Sequence, residues 1–158
     1  MIDRQRLKAR LAQVEGDRPF VYDDATGKAI KPGYLCQGYP TIGIGRNLYG
    51  KGLSESERQY LCDNDITDVL QMAKQFAWFD GLDTVRQHVV LELIFNIGLE
   101  KFKRFKNFIG YMSQSRWALA ATELANTPWQ RQVDPVLGDG KGRADTLIDM
   151  VKFGEWPT

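Results

Sequence analysis

A chain of 158 residues with 43% hydrophobic and 26% charged residues has the size and composition of one globular domain, not of a disordered or fibrous protein. Lys plus Arg number 21 against 20 Asp plus Glu, a net charge of +1, so no whole-molecule attraction to nucleic acid is expected. No apolar run reaches the length of a bilayer span.

The opening Met1-Ile-Asp-Arg-Gln-Arg-Leu-Lys-Ala-Arg10 is charged where a secretory leader would be apolar, so export by a cleavable signal is not expected. Residues 4–15 carry Leu7, Leu11 and Val14 at helical spacing, and Gly16 follows as a stop: an amphipathic helix. Seven of the 15 glycines then fall between Gly27 and Gly52, beside Pro32, Pro40 and β-favouring residues such as Val21, Tyr22, Thr41, Ile42 and Ile44. That punctuation predicts short strands and turns in a small antiparallel sheet. In Thr41-Ile-Gly-Ile-Gly45 the glycines leave one strand face bare, a common mark of close approach by a ligand or another backbone.

From Ser54 the pattern turns helical. Ser54-Glu-Ser-Glu57 has capping-box spacing. The stretch 84–97 is apolar on most sides, with Asp83 as N-cap and Gly98 as stop, and predicts a buried central helix. Further helices are expected over 100–113, 115–125 and 143–152, with Thr127-Pro128 opening a short one. No internal repeat is present. The expected class is α+β: one helix, a small antiparallel β subdomain, then a larger helical lobe. The dense basic run Lys101-Phe-Lys-Arg-Phe-Lys106 reads as a solvated face, with Phe102, Phe105 and Phe108 turned to the core.

Several chemistries are excluded. Cys36 and Cys62 are too few for a disulfide scaffold, fit no zinc spacing, and read as reduced thiols. No metal or cofactor is expected. The single histidine, His88, sits in a helical run with no flanking nucleophile motif, so a Ser-His-Asp or Cys-His device has no support. Carboxylates remain. Glu15 ends the first helix and Asp24 lies nine residues on, where a helix folding back on a strand can set two carboxylates across a groove. With 20 acidic residues in the chain, that spacing alone is weak.

The surrounding residues add to it. Glu15-Gly16, Tyr22, Asp24, Gly27 and Gly38-Tyr-Pro-Thr-Ile-Gly-Ile-Gly45 resemble the phage-type lysozymes, the T-even phage lysozyme family (glycoside hydrolase family 24). The likeness continues through Val85–Gly98, Arg116-Trp117, Ala120-Ala121, Trp129-Gln-x-Gln132, Gly142-Arg143 and Gly154-Glu-Trp156, nearly the whole chain. It implies a lysozyme-like fold with a cleft between an N-terminal lobe, about 16–52, and a helical lobe of 1–15 with 53–158.

It also implies roles. Glu15 would be the general acid, which must keep its proton near neutral pH. Asp24 would activate water on the opposite face of the sugar, with Thr41 holding that water. Inversion would follow, with carboxyls about 6.5–9.5 Å apart. Arg143 matches an arginine that pairs with the acid. Phe95 matches a groove-lining residue, though core packing fits it equally. Gly45, Arg46, Phe108 and Glu123 fall at substrate-groove positions.

The departures are specific. Sixteen residues separate Asp24 from Thr41, so 28–37 form an enlarged hairpin, and Thr26 competes with Thr41 by spacing. Arg46 replaces the histidine of the most familiar member, exchanging a titratable partner for a permanent charge.

The implied activity is hydrolysis of the β-1,4 bond between N-acetylmuramic acid and N-acetylglucosamine in peptidoglycan. A lytic transglycosylase or a wall-binding protein without turnover is disfavoured by the presence of Glu15, Asp24, Thr41 and Arg143 together. The implied setting is a monomeric endolysin made in the host cytoplasm and released by a holin for phage lysis of the host, with a virion-borne lysozyme acting at entry as the alternative.

Overall fold

A computed structural model describes residues 2–133 and 142–157. The chain forms two compact units, Met1–Tyr60 and Leu61–Thr158. Among the described residues are eight α-helices and one three-stranded antiparallel sheet, an α+β fold as the sequence predicts.

In the first unit, α1 (Arg4–Glu15) starts where the Asp3 side chain accepts the Arg6 amide, satisfying a helix-end donor that has no partner inside the helix. It ends at Gly16, whose φ of 78° reverses the chain at no Cβ cost. The sheet runs β1 (Arg18–Asp23), β2 (Pro40–Gly43) and β3 (Arg46–Asn47), in that spatial order. Tyr22 pairs with Thr41 and Asp23 with Pro40, while Thr41 pairs with Asn47 on its other side. The register is irregular between Arg18 and Tyr22.

The enlarged hairpin folds back along β1. Ile30 donates its amide to the Val21 carbonyl at 3.0 Å, and Asp23 donates to Lys28 at 2.9 Å. After β3 a braced turn leads into α2 (Glu55–Ala73), and the expected capping box is formed both ways. Ser54 N donates to Glu57 Oε2 at 2.8 Å and Glu57 N to Ser54 Oγ at 3.3 Å.

The second unit is built on α3 (Thr84–Ile97), whose Val85, Val89, Val90, Leu93 and Ile94 are buried. Asp83 caps it by accepting the Arg86 amide, and Gly98 ends it. Around it stand α4 (Leu99–Phe102), α5 (Lys106–Ser113), α6 (Trp117–Ala125), α7 (Pro128–Val133) and α8 (Arg143–Phe153). Buried Arg86 ties α3 to the end of α8, giving its Nε to the Val151 carbonyl at 2.8 Å and laying its guanidinium over Trp117 at 4.2 Å. Packing at Gly154 is correspondingly tight: a Cβ there would collide with Arg86.

One helix departs from expectation. The stretch 100–113 is not continuous, because the chain breaks at Lys103–Phe105 between α4 and α5. Phe102, Phe105 and Phe108 are spaced by three, and on an unbroken helix each step of three turns back by about 60° and fans the rings apart. The break lets all three turn inward, with Phe102 at 6.4 Å from Phe105 and edge-on to Phe108 at 6.2 Å. Phe102 and Phe108 are wholly buried, and losing such a ring from a core costs about 3–5 kcal/mol. No helix among the described residues is long and apolar enough to cross a membrane.

Candidate active site

The first unit carries Glu15, Asp24, Thr41, Gly45 and Arg46. Glu15 is the last residue of α1 and exposed. Gly45 lies against it: a Cβ added at Gly45 would meet Glu15 Cβ and Oε2 at 3.6 Å. At φ +67° the position also favours glycine for its backbone. The expected bare strand face is not formed as such: Gly45 lies in the turn after β2, Gly43 has nothing close to it, and the close approach to the expected acid is made at Gly45 alone.

Asp24 and Thr41 are joined through one residue, Tyr39. The Tyr39 amide donates to Asp24 Oδ1 at 2.6 Å, and the Tyr39 carbonyl accepts both the Asp24 amide at 3.2 Å and Thr41 Oγ1 at 3.1 Å. With its proton given to that carbonyl, the Thr41 oxygen offers lone pairs to another donor. Thr26 is placed differently, its hydroxyl bonded to the Tyr34 hydroxyl at 2.9 Å and accepting the Lys28 amide at 3.3 Å, inside the enlarged hairpin. A Cβ at Gly38 would collide with the Asp24 carboxylate and Ala25, so only glycine lets the loop pass there.

Beneath this lies a residue that sequence reasoning missed. Asp23 is fully buried and takes hydrogen bonds from the Gln37, Gly38 and Ala25 amides and the Tyr34 hydroxyl, all at 2.9–3.0 Å. The Gln37 amide above all, with the Tyr34 hydroxyl and the other two amides, holds its carboxyl far below the usual carboxylate range despite burial. It anchors the return of the hairpin into Tyr39. A second acidic residue beside Asp24 was its only trace in the sequence.

Arg46 Nε and Nη2 donate to the Gly52 carbonyl at 2.9 and 2.7 Å, and its Nη1 and Nη2 to the two Glu57 carboxylate oxygens at 2.9 and 2.6 Å. A guanidinium so occupied braces the turn. The Ser54 amide first, then Arg46, holds Glu57 down at about 2.

In the second unit, Phe95 is 52% exposed on α3, so core packing is excluded. It borders a concavity of about 700 Å³ rimmed by Asp65, Asp68 and Glu100. Phe108 is corrected: no part of it is exposed, because the broken helix turns it into the core. Glu123 accepts Asn107 Nδ2 at 3.1 Å and borders a concavity of about 600 Å³ with Lys101, Arg104, Lys106 and Trp129. Arg143 opens α8 and donates Nε to Glu92 Oε1 at 2.8 Å. His88 is exposed and edge-on to Trp156 at 4.8 Å. Cys36 and Cys62 are free and exposed. No metal-ligand cluster occurs among the described residues.

The chain is similar to two proteins named as T4-type lysozymes. "Probable T4-type lysozyme 1" of Dictyostelium discoideum is 24% identical over 178 aligned positions, covering 94% of each chain. "Probable T4-type lysozyme 2" of the same organism is 26% identical over 84 residues, 51% of this chain and 49% of that one. No family model matches the chain.

Proposed function

We propose that this protein is a peptidoglycan hydrolase of the muramidase type, cutting the β-1,4 bond between N-acetylmuramic acid and N-acetylglucosamine. The observation that carries the reading is the Tyr39 bracket, which ties one exposed carboxylate, Asp24, to the Thr41 hydroxyl. Glu15 beside bare Gly45 supplies the second carboxylate of the same unit. Similarity along 94% of the chain to a protein named as a T4-type lysozyme supports it.

In this mechanism Glu15 protonates the glycosidic oxygen as the bond to the anomeric carbon breaks. Thr41 accepts a hydrogen bond from a water, and Asp24 takes that water's other proton as its oxygen attacks the opposite face of the ring. The product inverts, and the free reducing end appears first as the α anomer. Arg143, anchored by Glu92, is assigned to positioning Glu15, and Phe95 and Glu123 to contacts with the glycan. The biological setting is lysis of a host by a phage endolysin that a holin releases to the periplasm.

The test is digestion of purified Gram-negative peptidoglycan by wild type and Glu15→Gln, with mass and NMR analysis of the sugars. Reducing muramyl ends from wild type alone, α anomer first, are expected. Anhydro products would replace the hydrolase with a transglycosylase. Release undiminished in Glu15→Gln would remove Glu15 from the reaction.

A further inference from the structure

Two exposed aromatic side chains, that of Tyr39, whose backbone holds Asp24, and that of Tyr49, which stacks on it, have no role in the mechanism above. Tyr39 and Tyr49 stack with ring centroids 5.5 Å apart and planes 25° from parallel, yet they remain 50% and 79% exposed. Stacking therefore covers facing surfaces only and leaves the outer face of Tyr49 open.

Their mounting is rigid. Tyr39 is bonded to Asp24 through both its amide and its carbonyl. Tyr49 sits in the turn after β3, where Gly50 N donates to Asn47 Oδ1 at 2.7 Å and Lys51 N to the Asn47 carbonyl at 3.1 Å. Arg46 closes that turn from the other side through the Gly52 carbonyl and Glu57. A large apolar surface held still in water is unfavourable unless something covers it, and holding it still in advance lowers the ordering cost when a ligand does. Two features choose the ligand. Tyr39, one half of the platform, is hydrogen-bonded through its amide to the carboxylate at which a glycan strand is proposed to be cut. Tyrosine also presents a flat aromatic face, which matches the apolar face that the axial C–H bonds of a pyranose form.

We propose that Tyr39 and Tyr49 form a stacking subsite for an N-acetylhexosamine ring of the glycan strand, next to the ring cut at Asp24. The assignment rests on the hydrolase reading for its substrate, and the test keeps the two apart. Turnover of solubilised peptidoglycan by wild type, Tyr49→Ser and Tyr49→Phe gives KM and kcat. Titration of a β-1,4-linked N-acetylglucosamine tetramer into the Glu15→Gln forms of the same proteins, followed by tyrosine ring resonances, gives Kd without chemistry.

Tyr49→Ser is expected to raise KM and Kd about three- to tenfold and to leave kcat within about twofold, with Tyr49→Phe close to wild type. KM and Kd unchanged in Tyr49→Ser overturn the subsite, and a fall in Tm with unchanged Kd reduces the pair to a brace between strands. If wild type releases no sugar, the hydrolase reading fails. In that case tetramer binding weakened by Tyr49→Ser still upholds the platform, and no binding by any form overturns it.

Discussion

Tyr39 gives its amide to the Asp24 carboxylate at 2.6 Å and takes the Asp24 amide on its carbonyl at 3.2 Å, so one residue holds both the backbone and the side chain of the expected base. Because the same carbonyl accepts Thr41 Oγ1, carboxylate and hydroxyl share a reference point and move together. Asp24→Asn leaves an oxygen to accept the Tyr39 amide but removes the base. Turnover of peptidoglycan should fall by about 10²- to 10⁴-fold while Tm shifts by only a few degrees. A variant retaining wild-type turnover would take Asp24 out of the chemistry.

Gly38→Ala tests the loop from the other side. Its Cβ would strike the Asp24 carboxylate and Ala25, two groups held by backbone, so the loop or the carboxylate must shift. Activity and Tm should both drop. Gly50→Ala is the control, since its Cβ would meet only Asn47, at an ordinary 3.5 Å. Equal losses in the two variants would mean that turn flexibility, not the Asp24 contact, is being read.

Asp23 makes the enlarged hairpin structural. A loop with no buried partners tolerates deletion cheaply, but residues 28–37 supply the Tyr34 hydroxyl and the Gln37 amide to a carboxylate with no access to water. Deleting 28–37 should therefore lower Tm, and Asp23→Asn should lower it in the intact chain. The folded-state pKa of Asp23 is depressed, so its contribution is complete above the ordinary carboxylate range and is lost only as pH falls towards the folded value. The Tm gap between wild type and Asp23→Asn should be constant from about pH 7 to pH 5 and close in stronger acid. A gap that stays open in strong acid would show that packing, not charge, is lost.

What could be read from the chain beforehand follows from how local each cause is. Asp3, Ser54 with Glu57, and Asp83 with Gly98 act within four residues of the helix ends they set, and those ends lie where expected. The break at Lys103–Phe105 could not be read, because it answers to the demand of a core built by other helices for three rings at once. Phe95 and Phe108 show the same limit within the candidate site. Both are phenylalanines on helices, and only packing decides that one stands 52% exposed and the other is enclosed. The roles proposed for Glu15 and Asp24 come from family resemblance alone, since spacing among 20 acidic residues selects little. Asp23 was invisible for a related reason: three of its four partners lie 11 to 15 residues away, and two of those are backbone amides that carry no side-chain signature.

Arg46 and Glu57 give the last prediction, because their pH response has a definite sign. Glu57 is held at about 2 in the folded chain against an ordinary 4.5, so its contribution is whole above 4.5 and fades between 4.5 and 2. Arg46 stays charged throughout, so in wild type the brace on the Gly52 turn is flat from mild acid to mild alkali. Arg46→His changes that. An imidazole beside the Glu57 carboxylate has its folded pKa raised above the unperturbed 6.5 or so, and its contribution is complete below that value and lost as pH rises through the folded one. Thermal unfolding of wild type and Arg46→His from about pH 5 to pH 9 should show a small Tm gap in acid that widens above neutrality. If Tyr49 depends on the braced turn as a mount, glycan binding by Arg46→His should weaken over the same pH range in which the gap opens. A gap of constant size would mean that the guanidinium's bonds to the Gly52 carbonyl, which histidine cannot reproduce, outweigh its charge on Glu57.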